Sequence, residues 1–314
     1  MIMETNAPPR GRGNARLPAG VRMTGGTAPA GRHAGAFAGM GESSPDCCEN
    51  RMQERMSDMK QLHGTDQRTM AYINLYGVLG ALEELCRLDE QARQLIADRA
   101  VRIGFRVSGG PCATLCFDHG TCVLADGDKD CDIRLPFSSP AKFNGMIDGT
   151  VTPIPSRGLT KLKFLTGPFL KLTDRLTRYL RASEQELQDP ELFQKSTTLM
   201  FYAIAASLSQ IGTHDRIGRA SAGYIPDGVI CLRIKDGPAA SICAKDHILH
   251  TVKKAPEHPA AVMEFGSMKI ARELFDGKRN AMASIGVGEI RVSGMMPMLD
   301  NMNRILDRVG LYLA

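Results

Sequence analysis

From Ile103 to Val107 the apolar residues Ile103, Phe105 and Val107 alternate with Arg102, Gly104 and Arg106, the period of two that marks a strand with one buried face. The Gly109-Gly110-Pro111 punctuation predicts a hairpin turn into a return strand that carries Ala113, Leu115 and Phe117 inward. A further turn at Asp118-His-Gly120 leads into residues 122–124, and Ile133, Leu135 and Phe137 alternate with Asp132 and Arg134 in the next strand. Elsewhere the period lengthens. Over 72–88, Ile73, Tyr76, Leu79, Leu82 and Leu85 follow helical spacing, with Glu83, Glu84 and Arg87 on the opposite face. A short helix over 141–147 is closed by Gly149, which suits a left-handed C-cap. Pro153 and Pro155 end that helix, and Leu162 with Phe164 reads as one more strand. An amphipathic helix follows, with Pro168 in its first turn and the stripe Phe169, Leu172, Leu176 and Tyr179.

The same order is then written a second time. Arg106-Val-Ser-Gly-Gly-Pro-Cys-Ala-Thr-Leu-Cys116 lies over Arg233-Ile-Lys-Asp-Gly-Pro-Ala-Ala-Ser-Ile-Cys243, sharing Arg, Gly, Pro, Ala and Cys in register. Tyr76, Leu82 and Asp89 match Tyr202, Leu208 and Asp215; Asp148-Gly149 matches Asp276-Gly277; Asp174-Arg175 and Tyr179 match Asp307-Arg308 and Tyr312. The second copy supplies strands through Ile230, Leu232 and Ile234, through Ala240 and Ile242, through Ala261, Met263 and Phe265, and through Ile290 and Val292. Its closing helix starts near Pro297, with the stripe Met298, Met302, Ile305, Val309 and Tyr312. Repetition at a fixed spacing of more than a hundred residues indicates duplicated domain-sized units and not solenoid turns. The expected class is α+β: two tandem units, over 70–185 and 192–314, each a mainly antiparallel sheet of about five strands covered by helices. Residues 1–60, rich in Gly, Pro and Arg and without hydrophobic period, are expected to be a disordered tail.

Phe137-Ser-Ser139, Phe143-Asn-Gly-Met-Ile-Asp-Gly149, Leu162-Lys-Phe164 and the closing helix resemble the sterol-binding domain of the sterol carrier protein type 2 family. The second copy resembles it in Leu274-Phe-Asp-Gly-Lys278 and Gly288-Glu-Ile-Arg-Val-Ser-Gly294. The resemblance implies a five-stranded sheet under helices and an apolar tunnel for a sterol, fatty acid or acyl-CoA, with no catalytic set and no cofactor. On that reading the lining residues are Phe105, Phe117, Leu135, Phe137, Met146, Phe164, Phe169 and Leu172 in the first unit. In the second unit they are Leu232, Met263, Phe265, Leu274, Val292, Met298 and Met302. The same side chains serve equally as a dry core. The fold also occurs as a non-lipid module that builds oligomers, so the alternative is a structural or regulatory element, with a homodimer as one arrangement.

Composition narrows the choice. Among 314 residues, 43% are hydrophobic and 23% charged, an ordinary globular balance, and the net charge of +5 comes without the dense basic run of a nucleic-acid binder. No long apolar stretch predicts a membrane span, and nine irregularly spaced cysteines behind no export signal point to reduced thiols in the cytoplasm. Cys112, Cys116, Cys122 and Cys131 lack the close pairs of a zinc site and read as small apolar residues in strands, Cys112 and Cys116 on the outer face. His247 and His250 have the wrong parity for one strand face; Gly286-Val-Gly288 precedes a strand, where a phosphate loop would follow one. No nucleophile, base or metal-hydrolase motif is present. The expected function is therefore non-enzymatic binding, transfer or sensing of an apolar small molecule.

Overall fold

Each Gly-Pro hairpin anticipated above closes in the same way, Val107 N–H donating to the Pro111 carbonyl and Ile234 N–H to that of Pro238. The structure, a computed structural model, describes residues 64–313; the tail at 1–60 lies outside the described residues, as do Cys47 and Cys48. The strands are β1 (Ala100–Val107), β2 (Cys112–Asp118), β3 (Thr121–Asp126), β4 (Ile133–Phe137), β5 (Gly228–Ile234), β6 (Ala239–Lys245), β7 (Ile248–Val252), β8 (Ala261–Phe265) and β9 (Ile290–Gly294). They form two sheets, in the orders β3-β2-β1-β4 and β7-β6-β5-β8-β9. In both, the first strand is antiparallel to the second and parallel to the fourth.

The registers coincide residue for residue. Arg106 faces Cys112 as Arg233 faces Ala239, and Val107 faces Phe137 as Ile234 faces Phe265. A slip of one residue would turn every side chain to the other face, so this agreement makes the duplication a fact of the fold.

The helices also correspond. A helical run over 67–88 (α1) and Pro190–His214 (α5) open the halves. Each leads into a short helix, Glu90–Gln94 (α2) and Arg216–Ala222 (α6), capped by the side chains of Asp89 and Asp215. Pro140–Ile147 (α3) and Met268–Phe275 (α7) follow the fourth strands and end at Gly149 and Gly277, both in the left-handed region. A helical run over 162–180 (α4) and Met296–Leu313 (α9) close the halves, and Ala281–Gly286 (α8) is an addition of the second half. Within α1, Ile73–Val78 is π-helical and Leu79–Ala81 is 3₁₀, a departure from the regular helix that the spacing predicted.

The fifth strand is the main correction. The first half has four strands, and Leu162 and Phe164 are helical, the start of α4. The place that β9 takes beside β8 is taken beside β4 by a single bridge, Arg134 to Arg157. Gly158 corresponds in position to Gly294: both have positive φ, and a Cβ on either would collide with a backbone carbonyl, that of Asp132 or of Ala260. On that correspondence Pro155 stands opposite Pro136, where the second half pairs Arg291 with Glu264. Neither proline has an N–H to give, so the ladder stops after one rung. Pro168 is likewise not in a first turn but inside α4, in its π-helical stretch Leu165–Phe169. Pro297 does occupy the first turn of α9.

Two apolar cores result, one over each sheet, and they exchange residues across the seam between α1 and α5. Ile73 of α1 belongs to the second core, and its counterpart Leu199 of α5 belongs to the first. The helices meet at Gly77, where a Cβ would stand 2.5 Å from Ser207 Oγ and 3.2 Å from the Ala203 carbonyl oxygen. The closeness explains a glycine there.

Candidate functional site

The side chains singled out from the sequence all pack inside or against the two cores. Phe105, Phe117, Leu135, Phe137, Phe164 and Leu172 are buried, and Met146 and Phe169 are half-buried against them. In the second half Leu232, Met263, Phe265, Met298 and Met302 are buried, with Leu274 and Val292 half-buried.

The first interior is a connected set of rings. Phe105 packs edge-on to Phe143 with centroids 6.1 Å apart, and Phe143 to Phe137 at 5.2 Å. Phe117 packs against Phe164 at 5.4 Å and Phe169 at 6.1 Å, and Phe169 returns to Phe105 at 6.5 Å. Offset and edge-to-face contacts of this kind fill space and add attraction beyond burial. β1 and β2 supply two rings, β4 and α3 one each, and the early turns of α4 supply the last two.

The second interior is built from smaller or softer groups at the same positions. By the strand and helix registers, Phe105 corresponds to Leu232, Phe117 to Ala244, Phe143 to Ala271 and Phe169 to Met302. Ala244 and Ala271 are both buried members of the second core. Only Phe137 keeps its ring, as Phe265. The aromatic gains lie elsewhere: Phe201 stands against Tyr202, and Phe275 is half-buried against Phe265.

A buried ion-pair latch fixes each closing helix to the start of the short second helix. Asp89 caps α2 and accepts from Arg175 Nη2 at 2.5 Å and Tyr179 Oη at 2.6 Å. Asp215 caps α6 and accepts from Arg308 Nη2 at 2.7 Å and Tyr312 Oη at 2.8 Å. Burial works against the Asp89 charge, but the Tyr179 hydroxyl, the Arg175 guanidinium and the Ala92 amide outweigh it and hold the carboxyl below its usual range. Burial likewise opposes the Asp215 charge and is outweighed by Arg308, the Gly218 amide and Tyr312. Burial and then the neighbouring carboxylate push Tyr179 up to about 12. These groups recur in the sequence as Asp89/Asp215, Arg175/Arg308 and Tyr179/Tyr312, but spacing alone does not reveal that each trio meets.

The outer face of the first sheet is less wet than the alternation implies. The loop after β3 lies over Gly104, placing Cys131 and Asp128 against it, and Asp128 is clamped by Arg106 at 2.5 Å and Arg134 at 3.0 Å. Cys112 and Cys116 are half-buried on that face, opposite in parity to the buried Ala113, Leu115 and Phe117. Among the described residues no group of three or more His, Cys, Asp or Glu side chains is placed to hold a metal ion, and no helix is long and apolar enough to cross a membrane.

One cleft, of about 420 Å³, opens at the seam between the halves. Arg87 and Leu88 come to it from α1, Thr198 and Tyr202 from α5, and Lys253 and Lys254 from the end of β7 onward. None of its lining belongs to the set read from the sequence; a site shared by two copies leaves no local motif.

Solved structures with a similar arrangement include sterol carrier protein 2 domains. The solution structure of sterol carrier protein domain 2 of Helicoverpa armigera is 16% identical and covers 35% of this chain and 88% of its own, with a TM-score of 0.30. Apo sterol carrier protein 2 from Yarrowia lipolytica is 17% identical, covering 33% and 91%, with a TM-score of 0.26. The UbiJ-SCP2 ubiquinone synthesis protein is 13% identical, covering 34% and 91%, with a TM-score of 0.28. No family model and no curated protein matches the chain.

Proposed function

We propose that the second half holds an apolar small molecule of the sterol, fatty acid or acyl-CoA class between its sheet and covering helices, and that the first half is a packed scaffold. The protein acts by binding, not by catalysis. The observation that carries this reading is the exchange of Phe105, Phe117, Phe143 and Phe169 for Leu232, Ala244, Ala271 and Met302 at matching interior positions. Methionines suit a wall that must adapt to a flexible guest: Met263, Met298 and Met302 are unbranched and polarizable. The second half also exposes apolar side chains. Met282, Val287, Met295 and Met296 are exposed in the stretch from α8 to the start of α9, which also carries the half-buried Val292. The first half exposes Ile154 and Leu159 in the same stretch, but the interior behind them is filled by rings.

The driving force is burial. Each methylene taken from water contributes roughly 0.8 kcal/mol, so about twelve give near 10 kcal/mol before losses. Association entropy removes several of those, leaving binding of the micromolar kind, suited to exchange.

The test is organic extraction of the purified full chain followed by mass spectrometry, with uptake of a fluorescent fatty acid measured beside it. Near-stoichiometric lipid, and uptake abolished by Ala271→Phe in a protein that keeps its circular dichroism, support the reading. A clean extract with no uptake supports the other one, a structural module with both interiors closed.

A further inference from the structure

The two ends of the seam between α1 and α5 differ. α1 and α5 run antiparallel, and the exchange of Ile73 and Leu199 between the cores shows that equivalent residues do equivalent work on either side. At one end the ring of Tyr72 stacks on His214 with centroids 3.5 Å apart and planes 21° apart, and the guanidinium of Arg68 stands over Tyr72 at 5.8 Å. That end is plugged by two rings. The counterparts at the other end are Thr198 for Tyr72 and Leu88 for His214. Both line the cleft of about 420 Å³, so the space lies where the plug is missing.

A second substitution sets the chemistry of that space. Tyr76 donates its hydroxyl hydrogen to Asp126 Oδ1 at 2.9 Å. Its counterpart Tyr202 lines the cleft, and the counterpart of Asp126 there is Lys253. A carboxylate acceptor has become a cation; the Tyr202 hydroxyl oxygen lies by the Ala239 backbone amide, and no acceptor for its hydrogen is found among the described residues. Three cations line the cleft against one acid, Asp236. Lys253 is held by Glu83 at 2.5 Å and Arg87 by Glu84 at 2.6 Å, while Lys254 is exposed and pairs with no carboxylate among the described residues.

We infer that this cleft binds a small organic anion carrying a planar ring. The ring occupies the position beside Leu88 and Thr198 that corresponds to the Tyr72–His214 stack at the other end, and the anionic group accepts from the Tyr202 hydroxyl and pairs with Lys254. A pocket of this size accommodates a molecule of one or two rings. Charge-assisted bonds from a desolvated phenol and an unpaired ammonium select an anion over its neutral isostere. The inference does not depend on the apolar site proposed for the second half.

Calorimetric titration of the full chain with 1-naphthoate, and with neutral 1-naphthamide, tests it. The expected result is saturable binding of naphthoate, at least tenfold weaker binding of the amide, loss of binding in Thr198→Tyr, and several-fold weakening in Lys254→Glu. Lys254 is exposed, so that variant reads the charge without risk to the core. Ala271→Phe leaves naphthoate binding unchanged, which separates this cleft from the apolar interior. No saturable binding by the parent protein, equal binding of acid and amide, or binding undiminished in both cleft variants overturns the inference.

Discussion

Tyr312 donates its hydroxyl hydrogen to Asp215 at 2.8 Å although 97 positions separate them in the chain, and Tyr179 makes the same bond to Asp89 in the other half. In each half the aspartate is at once a helix cap, an ion-pair partner and the acceptor for a tyrosine on the closing helix. Removing it takes the acceptor from two backbone amides and a phenol and the carboxylate from a guanidinium, which keeps only a neutral partner, Gly64 O for Arg308 or Gln91 Oε1 for Arg175. Breaking a buried pair of this sort costs about 3–5 kcal/mol. Asp215→Ala is therefore expected to lower unfolding stability by that amount in urea titrations, Arg308 being only 8% exposed. Asp89→Ala is expected to have a smaller effect, because Arg175 is 26% exposed and water can partly replace its partner.

The stacked His214 gives stability a pH dependence. Burial first, then the charges of Arg68 and Arg219, depress its pKa from 6.5 to about 4, against a weaker pull from Asp66. The unfolded chain binds a proton near pH 6.5 where the folded one does not, so stability is full above pH 6.5 and declines as pH falls toward 4. The latch carboxylates act lower: their folded pKa values lie below 3.8, so their contribution is lost only as pH drops below that value. The melting temperature is expected to fall between pH 7 and 5 in the parent protein. In His214→Phe, which keeps the ring and loses the titration, that slope should flatten.

Gly158 and Gly294 both hold a positive φ against the carbonyl of the residue just before the fourth strand, Asp132 or Ala260. Alanine at either adds a strained φ and a collision. A loss of about 1–3 kcal/mol for each is expected from strain of this kind. A neutral Gly158→Ala would contradict the correspondence drawn between the two positions.

The interiors are expected to respond in opposite directions to exchange of their side chains. Phe143→Ala opens a void among touching rings and should cost about 3–5 kcal/mol. Ala271→Phe, the reverse change at the matching position, should cost less than about 1 kcal/mol if the second interior has room, where a fully packed core would charge 1–3. Thermal or urea unfolding of both variants reads the difference.

The duplication, both hairpins and the amphipathic closing helices were legible because each rests on local period or on a recurring Gly-Pro turn. The fifth strand of the first half was misread for a reason visible at Pro136 and Pro155. A search for alternation finds Leu162 and Phe164, whereas the chain enters the position earlier, where two facing prolines cannot make a ladder. The lining residues were legible as apolar, not as lining, since burial in a core and burial around a guest leave the same pattern. The seam was not legible at all: the pairing of Tyr72 with His214, and its absence at Leu88 and Thr198, depends on how α1 and α5 cross.

The most direct measurement is the stoichiometry of fatty-acid binding by the full chain, read by native mass spectrometry in the parent protein and two variants. One molecule per chain is expected, lost in Ala271→Phe and retained in Phe143→Ala. Two per chain, none, or a single molecule indifferent to Ala271→Phe would contradict a guest site built only into the second half.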